Sequence, residues 1–356
     1  MAIALSPGGS TVAMEKFRVA TSHYHVGHAI APMTALEKGF FKEEGFDGFE
    51  LLLEGLIPTF VEREALSAAM KERGIDIVLG ARITSVLALN SQGEDLYIVS
   101  GWRFAPQVDV YARPGIKSFA DLKGKKIGIR DSGGISQGII QTELRKAGLD
   151  PERDVTWVRD RIFAYHNTPE HVEAMRKGEI DCAGSHPPFS DELVKMGCTL
   201  LLSPRALYPS GRPERVIAAR NSLIEKEGDR LRAFLRAILR AFWLMRDQPA
   251  SFAYLADLEQ RLRRASHDPD ERVLKMFSSP DRLESMPLPV DGQVPGAGLK
   301  QIAEEMKRDG RLPKDYAAER ALRDKAARDA FHDLRSRKEL EPQWARVTRI
   351  VEKHGY

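Results

Sequence analysis

A layered α/β fold spread over two domains is predicted by three features of the sequence. Short β-rich runs alternate with helical patterns through the first two-thirds of the chain, a Pro/Gly/Lys cluster punctuates that alternation, and 356 residues at 42% hydrophobic content suffice for two cores. The runs are Phe17–Ala20, Phe49–Leu53, Ile75–Leu79, Leu96–Ser100, Val108–Ala112, Lys126–Arg130, Val155–Val158, Ile180–Ala183 and Thr199–Leu202. Strands separated by helices argue for parallel pairing. The cluster Arg113-Pro-Gly-Ile-Lys-Ser-Phe-Ala-Asp-Leu-Lys-Gly-Lys-Lys, with Ser118 as the N-cap of a short turn, divides two such series, and a first inter-domain crossing falls just before it.

A second crossing is expected near the strand Val216–Ala219, which gives way to a long helix, Asp229–Met245. Leu231, Phe234, Leu235, Ile238, Leu239, Phe242 and Met245 keep helical spacing on one face. Arg232, Arg236 and Arg240 line the other, read as a solvated surface in preference to an anion-binding stripe. Beyond the Pro/Gly-rich stretch Pro287-Leu-Pro-Val-Asp-Gly-Gln-Val-Pro-Gly the chain is charge-rich, with helices expected at Gln301–Lys307, Asp315–Asp329 and Ala345–Lys353. This tail reads as a helical appendage without a third core. The expected division is 1–15 as a disordered or tag-like N-terminus, 16–107 with 214–290 as one domain, 108–213 as the other, and 291–356 as a helical C-terminal extension.

Fifty-four basic and fifty-one acidic residues leave a net charge of +3, with no block of like charge, which argues against a nucleic-acid partner. Cys182 and Cys198 are the only cysteines and fit neither a disulfide framework nor a paired-cysteine metal motif, so free thiols are expected. No run approaches the ~18 apolar residues that span a membrane. Met1-Ala-Ile-Ala-Leu-Ser-Pro-Gly-Gly-Ser has neither the basic nor the apolar region of a signal peptide, and Met14 is an alternative start. The expectation is therefore periplasmic if a signal peptide was removed, and cytoplasmic if the chain is complete as given.

Three phrases occur in a telling order: Ala35-Leu-Glu-Lys-Gly-Phe-Phe-Lys-Glu-Glu-Gly-Phe, Lys117-Ser-Phe-Ala-Asp-Leu-Lys-Gly-Lys-Lys-Ile-Gly-Ile, and Met175-Arg-Lys-Gly-Glu-Ile-Asp-Cys-Ala. A fourth is Asn221-Ser-Leu-Ile-Glu-Lys-Glu-Gly-Asp-Arg-Leu-Arg-Ala-Phe-Leu-Arg-Ala. Over roughly residues 17–260 the chain resembles the nitrate/sulfonate/taurine type of ABC-transporter solute-binding protein, whose fold also houses the thiamine pyrimidine synthases. The resemblance implies a type II periplasmic-binding-protein fold: two α/β lobes, two crossing strands, and a cleft between the lobes that closes on a small ligand. It makes Gly39, Gly45 and the turn Asp121-Leu-Lys-Gly scaffold residues.

Candidate ligand residues lie where loops follow strands, the crevice position of parallel α/β folds. His23, Tyr24, His25 and His28 precede a helix expected from Ala29, and the three imidazoles suit a metal or hydrogen bonds to an anionic or aromatic ligand. The loop has no carboxylate to complete a metal site, so no metal and no cofactor are expected. Asp131-Ser-Gly-Gly-Ile-Ser-Gln-Gly leads from a strand into a helix expected at Ile139–Lys146, and the helix amides with Ser132, Gly133, Gly134, Ser136 and Gln137 read as an anion site. Gly134-Ile-Ser136-Gln-Gly138 also matches the hydrolase nucleophile elbow, but no Asp/His pair follows to complete a triad. Glu54, Arg82, Thr84, Ser85, Trp102, Arg103, Ser185 and His186 follow other strands, and Arg82 and Arg103 suit a carboxylate or sulfonate held bidentately.

The function expected is capture of a small organic anion (a sulfonate, carboxylate or aromatic acid) for an ABC permease. The alternative is a cytoplasmic enzyme of the same fold, a lyase or hydrolase with His23, His25 and His28 as acid/base groups. Related chemistries do not transfer. The cysteine-rich run of the thiamine pyrimidine synthases is absent, and His23, Tyr24 and His25 stand where aromatic sulfinate desulfinases carry a cysteine.

Overall fold

The computed structural model describes residues 2–4, 17–22, 26–46, 49–52, 63–105, 109–129, 135–159, 169–185, 189–203, 212–247, 251–266 and 288–354. The chain forms two compact units: unit 1 is Met1–Phe104, Ser210–Asp268 and Lys275–Tyr356, and unit 2 is Ala105–Pro209 with Pro269–Leu274.

Unit 1 is built on a six-stranded sheet. Its strands are β1 (Ala2–Ala4), β2 (Phe17–Thr21), β3 (Phe49–Leu52), β4 (Ile77–Arg82), β5 (Tyr97–Ala105) and, after the excursion through unit 2, β11 (Arg212–Ala219), in the order β1-β3-β2-β4-β11-β5. β2 pairs in parallel with β3 and β4, whereas β1 and β11 run antiparallel to their neighbours β3 and β4. The sheet is therefore mixed, where alternation alone argued for parallel strands. Ala2–Ala4, in the stretch read as disordered or tag-like, pairs with Glu50–Leu52.

Strand alternation divides the apolar residues between the two faces of this sheet. Ile77, Leu79, Ile217 and Ala219 enter one core, with the helices α1 (Val26–Glu37) and α2 (Phe40–Glu43). Val78, Ala81, Val216 and Ala218 enter the other, with α3 (Arg63–Glu72) and α4 (Ile83–Ser91). Burial on both faces explains why these strands read as nearly continuous apolar runs.

Unit 2 contains β6 (Asp109–Ala112), β7 (Lys126–Ile129), α5 (Ile135–Lys146), β8 (Thr156–Arg159), α6 (Pro169–Lys177), β9 (Cys182–Ser185), α7 (Phe189–Lys195) and β10 (Thr199–Leu202). The sheet order is β10-β6-β9-β7-β8. β7 is parallel to β8 and β9, and the strand entering the unit, β6, is antiparallel to β9. Cys182 and Cys198 are buried free thiols. Burial pushes both up from the usual thiol range, so neither is a poised nucleophile.

Back in unit 1, α8 (Asn221–Lys226), α9 (Gly228–Arg246) and α10 (Phe252–Ser266) follow β11, and α11 (Gly296–Arg308), α12 (Lys325–Arg335) and α13 (Glu341–His354) close the chain. α9 is buried nearly all round, with Phe234, Phe242 and Trp243 among the most enclosed side chains of the protein. Each such side chain contributes about 2 kcal/mol through area removed from water.

The arginine face of α9 differs from the solvated surface expected of it. Arg236 donates to Glu44 (2.6 Å) and Asp333 (2.9 Å), Arg240 to Glu44 (3.2 Å), and Arg232 to Asp333 (2.6 Å). Arg337 grips Glu44 bidentately at 2.6 and 2.7 Å. These arginines are internal counter-charges joining α9 to the end of α2 and to the C-terminal segment.

Among the described residues, that segment is largely helical and packs into unit 1. Leu299, Ile302 and Met306 join the α3/α4 core, while Ala327, Ala330, Leu334 and Val347 join the α1/α9 core. The helix expected over Asp315–Asp329 is a 3-10 turn at Ala318–Ala321 followed by α12. Leu322 between them is extended because it bridges Ile98 of β5.

Candidate functional site

The carboxyl ends of β2 and β4 meet in a feature the sequence reading did not anticipate. Arg215 pairs with Arg82 and Val216 with Ala81, but Ala218 pairs with Val78, so Leu79 and Gly80 together face Ile217. This is a β-bulge, a device that re-aims the residues beyond it. Gly80 adopts φ 70°, the left-handed region that glycine enters without steric cost. Its carbonyl accepts hydrogen bonds from Ser22 Oγ (2.8 Å) and Arg215 Nη1 (3.1 Å), while the Ser22 amide donates to Leu79 O at 2.9 Å.

His28 completes the arrangement. α1 begins at Val26, so His28 belongs to the helix rather than to the loop before it. Its ring lies against Gly80: a Cβ there would sit 2.9 Å from three ring atoms. The residue is 2% exposed. A glycine is thus required at position 80 both by backbone conformation and by the imidazole above it.

Ala81 and Val216 face the α3/α4 core, so by alternation Arg82 and Arg215 turn toward the α1 side, on directly opposed positions. Arg215 Nε also lies 3.8 Å from Glu214 Oε1. α4 starts at Ile83, immediately after Arg82, and places Thr84 and the open amides of its first turn at the same strand end. His28, Arg82 and Thr84 therefore gather at one end of the unit 1 sheet, joined by Ser22, Gly80 and Arg215. A glycine inside an apolar strand is the sequence signal that could have located the bulge. Arg215 carried no such signal, because only its register against β4 reveals its position.

In unit 2, α5 begins at Ile135, four residues ahead of the expected start, so Ser136 and Gln137 occupy its first turn and Gln137 is buried. β7 and β9 are parallel neighbours, with Ile127 opposite Cys182 and Gly128 opposite Ala183. Their carboxyl ends are therefore adjacent. Ser185 ends β9 fully buried, and its Oγ makes no hydrogen bond among the described residues. Helix amides, an amide side chain and a buried hydroxyl at one sheet end suit an oxyanion.

One expectation changes. β5 runs to Ala105, so Trp102 and Arg103 lie within a strand and not on a loop after it, and Trp102 is a core residue edge-on to Phe242 at 5.4 Å. His23, Tyr24, His25, Glu54, Ser132, Gly133, Gly134 and His186 lie outside the described residues.

Known proteins share this fold. The chain aligns with the periplasmic aliphatic sulphonate binding protein from Escherichia coli at a TM-score of 0.58 and 17% identity, covering 87% of this chain and 92% of the other. With the periplasmic nitrate-binding protein from Synechocystis PCC 6803 the TM-score is 0.59 at 14% identity, over 94% and 98% of the two chains. The desulfurization enzyme DszB also matches, at a TM-score of 0.56 and 13% identity over 89% and 99%. A nitrate import ATP-binding protein from Synechocystis is 23% identical over 232 residues, which is 59% of this chain but only 32% of that relative's length. Residues 27–251, more than half of the sequence, match the family described as NMT1/THI5 like. With two α/β units of the matching fold around that span, the chain belongs to the NMT1/THI5-like family.

Proposed function

We propose that this protein is the solute-binding component of an ABC importer and captures a small organic anion, a sulfonate, carboxylate or aromatic acid, in the periplasm for delivery to a permease. Family membership and the sulfonate- and nitrate-binding names of proteins sharing the fold support this reading. No helix among the described residues is long and apolar enough to cross a membrane.

The observation that carries the reading is the opposed pair Arg82 and Arg215 on the α1 side of the unit 1 sheet, next to the first turn of α4. Guanidinium groups fix planar oxyanions through paired donors, and helix amides add to them. The α5 amino end with Gln137 and Ser185 supplies a second set of donors in unit 2. The enzymatic alternative draws no support from His28, whose buried ring is packed on Gly80 rather than presented to a reacting atom.

A thermal-shift and calorimetric screen tests the proposal, using nitrate, alkanesulfonates, benzenesulfonate, benzoate and neutral isosteres. A ligand at a hundred times its Kd adds about 2.7 kcal/mol of stability. Sulfonates or carboxylates are expected to raise the melting temperature, and Arg82→Ala to weaken that ligand at least tenfold without changing the fold. Stabilisation by the neutral compounds alone, or by nothing in the panel, would overturn the reading.

A further inference from the structure

The chain first leaves unit 1 after Phe104, at the end of β5, and first returns at Ser210, just before β11. β5 and β11 are neighbours at one edge of the unit 1 sheet. Residues 288–354 pass over that edge twice. Leu288 and Val290 lie in the α1/α9 core; the chain then crosses at Gly292, whose carbonyl accepts from the Gly101 amide (2.9 Å) and Ser100 Oγ (2.9 Å). Val294, Leu299, Ile302, Ala303 and Met306 occupy the α3/α4 core on the opposite face. The return crossing is at Leu322 and Arg323, where Leu322 bridges Ile98 and the Arg323 amide donates to Ile98 O at 2.7 Å. Ala327, Ala330 and Leu334 then re-enter the first core.

The first crossing is close-fitting. A Cβ on Gly101 would lie 2.8 Å from Gln293 O, and one on Gly292 would lie 3.1–3.3 Å from Ser100 Oγ, Ala327 Cβ and Leu239 Cδ2. Gly292 also has φ 72°. The same segment reaches β11, because Glu305 of α11 accepts from Arg212 Nη1 and Nη2 at 2.8 and 2.7 Å, with the guanidinium 5% exposed. A bidentate pair withdrawn from water is strong, and costly to break from one side.

We propose that residues 288–354 are a strap that locks β5 and β11 into one rigid pair, so that the strands by which the chain leaves and re-enters unit 1 open only when the strap itself releases. Any rearrangement that accompanies binding is then taken up outside residues 98–101 and 212–216. The strap acts on unit 1 whatever the ligand is, and its test needs none.

Hydrogen exchange followed by mass spectrometry on the full chain provides that test. In the wild type, the amides of Gly101 and Arg323 are expected to exchange as slowly as those of the central strand β4. Glu305→Gln is expected to accelerate exchange at least tenfold in both 212–216 and 98–101, leaving 126–129 and 182–185 of unit 2 unchanged. Acceleration confined to 212–216, uniform acceleration of every strand in unit 1, or no change would overturn the proposal. If the variant does not fold, the wild-type measurement decides: fast exchange at Gly101 and Arg323, as at an uncovered sheet edge, would refute the strap.

Discussion

Gly80 condenses the candidate site of unit 1 into one position. It has the left-handed backbone that closes the bulge, the carbonyl that collects Ser22 and Arg215, and the missing side chain that lets His28 approach. Gly80→Ala is therefore expected to cost about 3 kcal/mol in urea unfolding, from backbone strain together with overpacking against the ring. The same substitution at Gly93, where φ is 85° but nothing lies within 4 Å of the added Cβ, carries strain alone and should cost less. Equal costs at the two sites would mean that the histidine contact contributes nothing. His28 was visible in the sequence as one of three clustered imidazoles. Its packing role was not, because it depends on a glycine more than fifty residues away.

At the scale of elements, the periodicity of α9 announced one buried face correctly and concealed the fate of the other. Its arginines meet carboxylates supplied by α12 and by the residue after α2. The Glu44 side chain is 0% exposed. Burial alone would raise its carboxyl, but hydrogen bonds from Arg337 and Arg236 prevail and hold it below the usual carboxylate range. A folded-state value below the ordinary 4.5 means that the stabilisation is complete above pH 4.5 and is lost as the pH falls through the depressed folded value. Glu44→Gln is accordingly expected to cost about 3 kcal/mol at neutral pH, since it removes the fully enclosed carboxylate that the half-buried Arg236, Arg240 and Arg337 share. Melting temperatures from pH 6 to pH 3 should fall less steeply for the variant than for the wild type, and parallel curves would show that Glu44 is not the acid-sensitive group.

At the scale of the whole molecule, the C-terminal segment completes both cores of unit 1. It supplies Val290 O to Trp243 Nε1 at 2.7 Å, sets Trp344 against Trp243 at 4.9 Å, and pairs Arg346 bidentately with Asp247 at 2.6 and 2.7 Å. A chain ending at residue 287 loses all of these together with the cover over β5, which leaves open cavities and an unpaired sheet edge. Circular dichroism and denaturant titration are expected to show no cooperative unfolding of unit 1 in that truncation. A cooperative transition of wild-type midpoint would mean that the segment is dispensable.

What could be read along the chain was local in origin. Apolar runs marked the buried strands, and helical spacing marked the long helix Asp229–Met245. Phrases such as Ala35–Phe46 and Lys117–Ile129 carried the family and with it the two-domain α/β architecture. What could not be read depends on partners far apart in sequence. The bulge at Gly80 needs the register of β11, the arginine stripe needs Glu44 and Asp333, and the path of the tail needs the free edge of β5. Side-chain periodicity records which face of an element is buried. It holds no information about which distant residue meets that face, because cross-strand register and buried ion pairing are settled only when separate elements pack against one another.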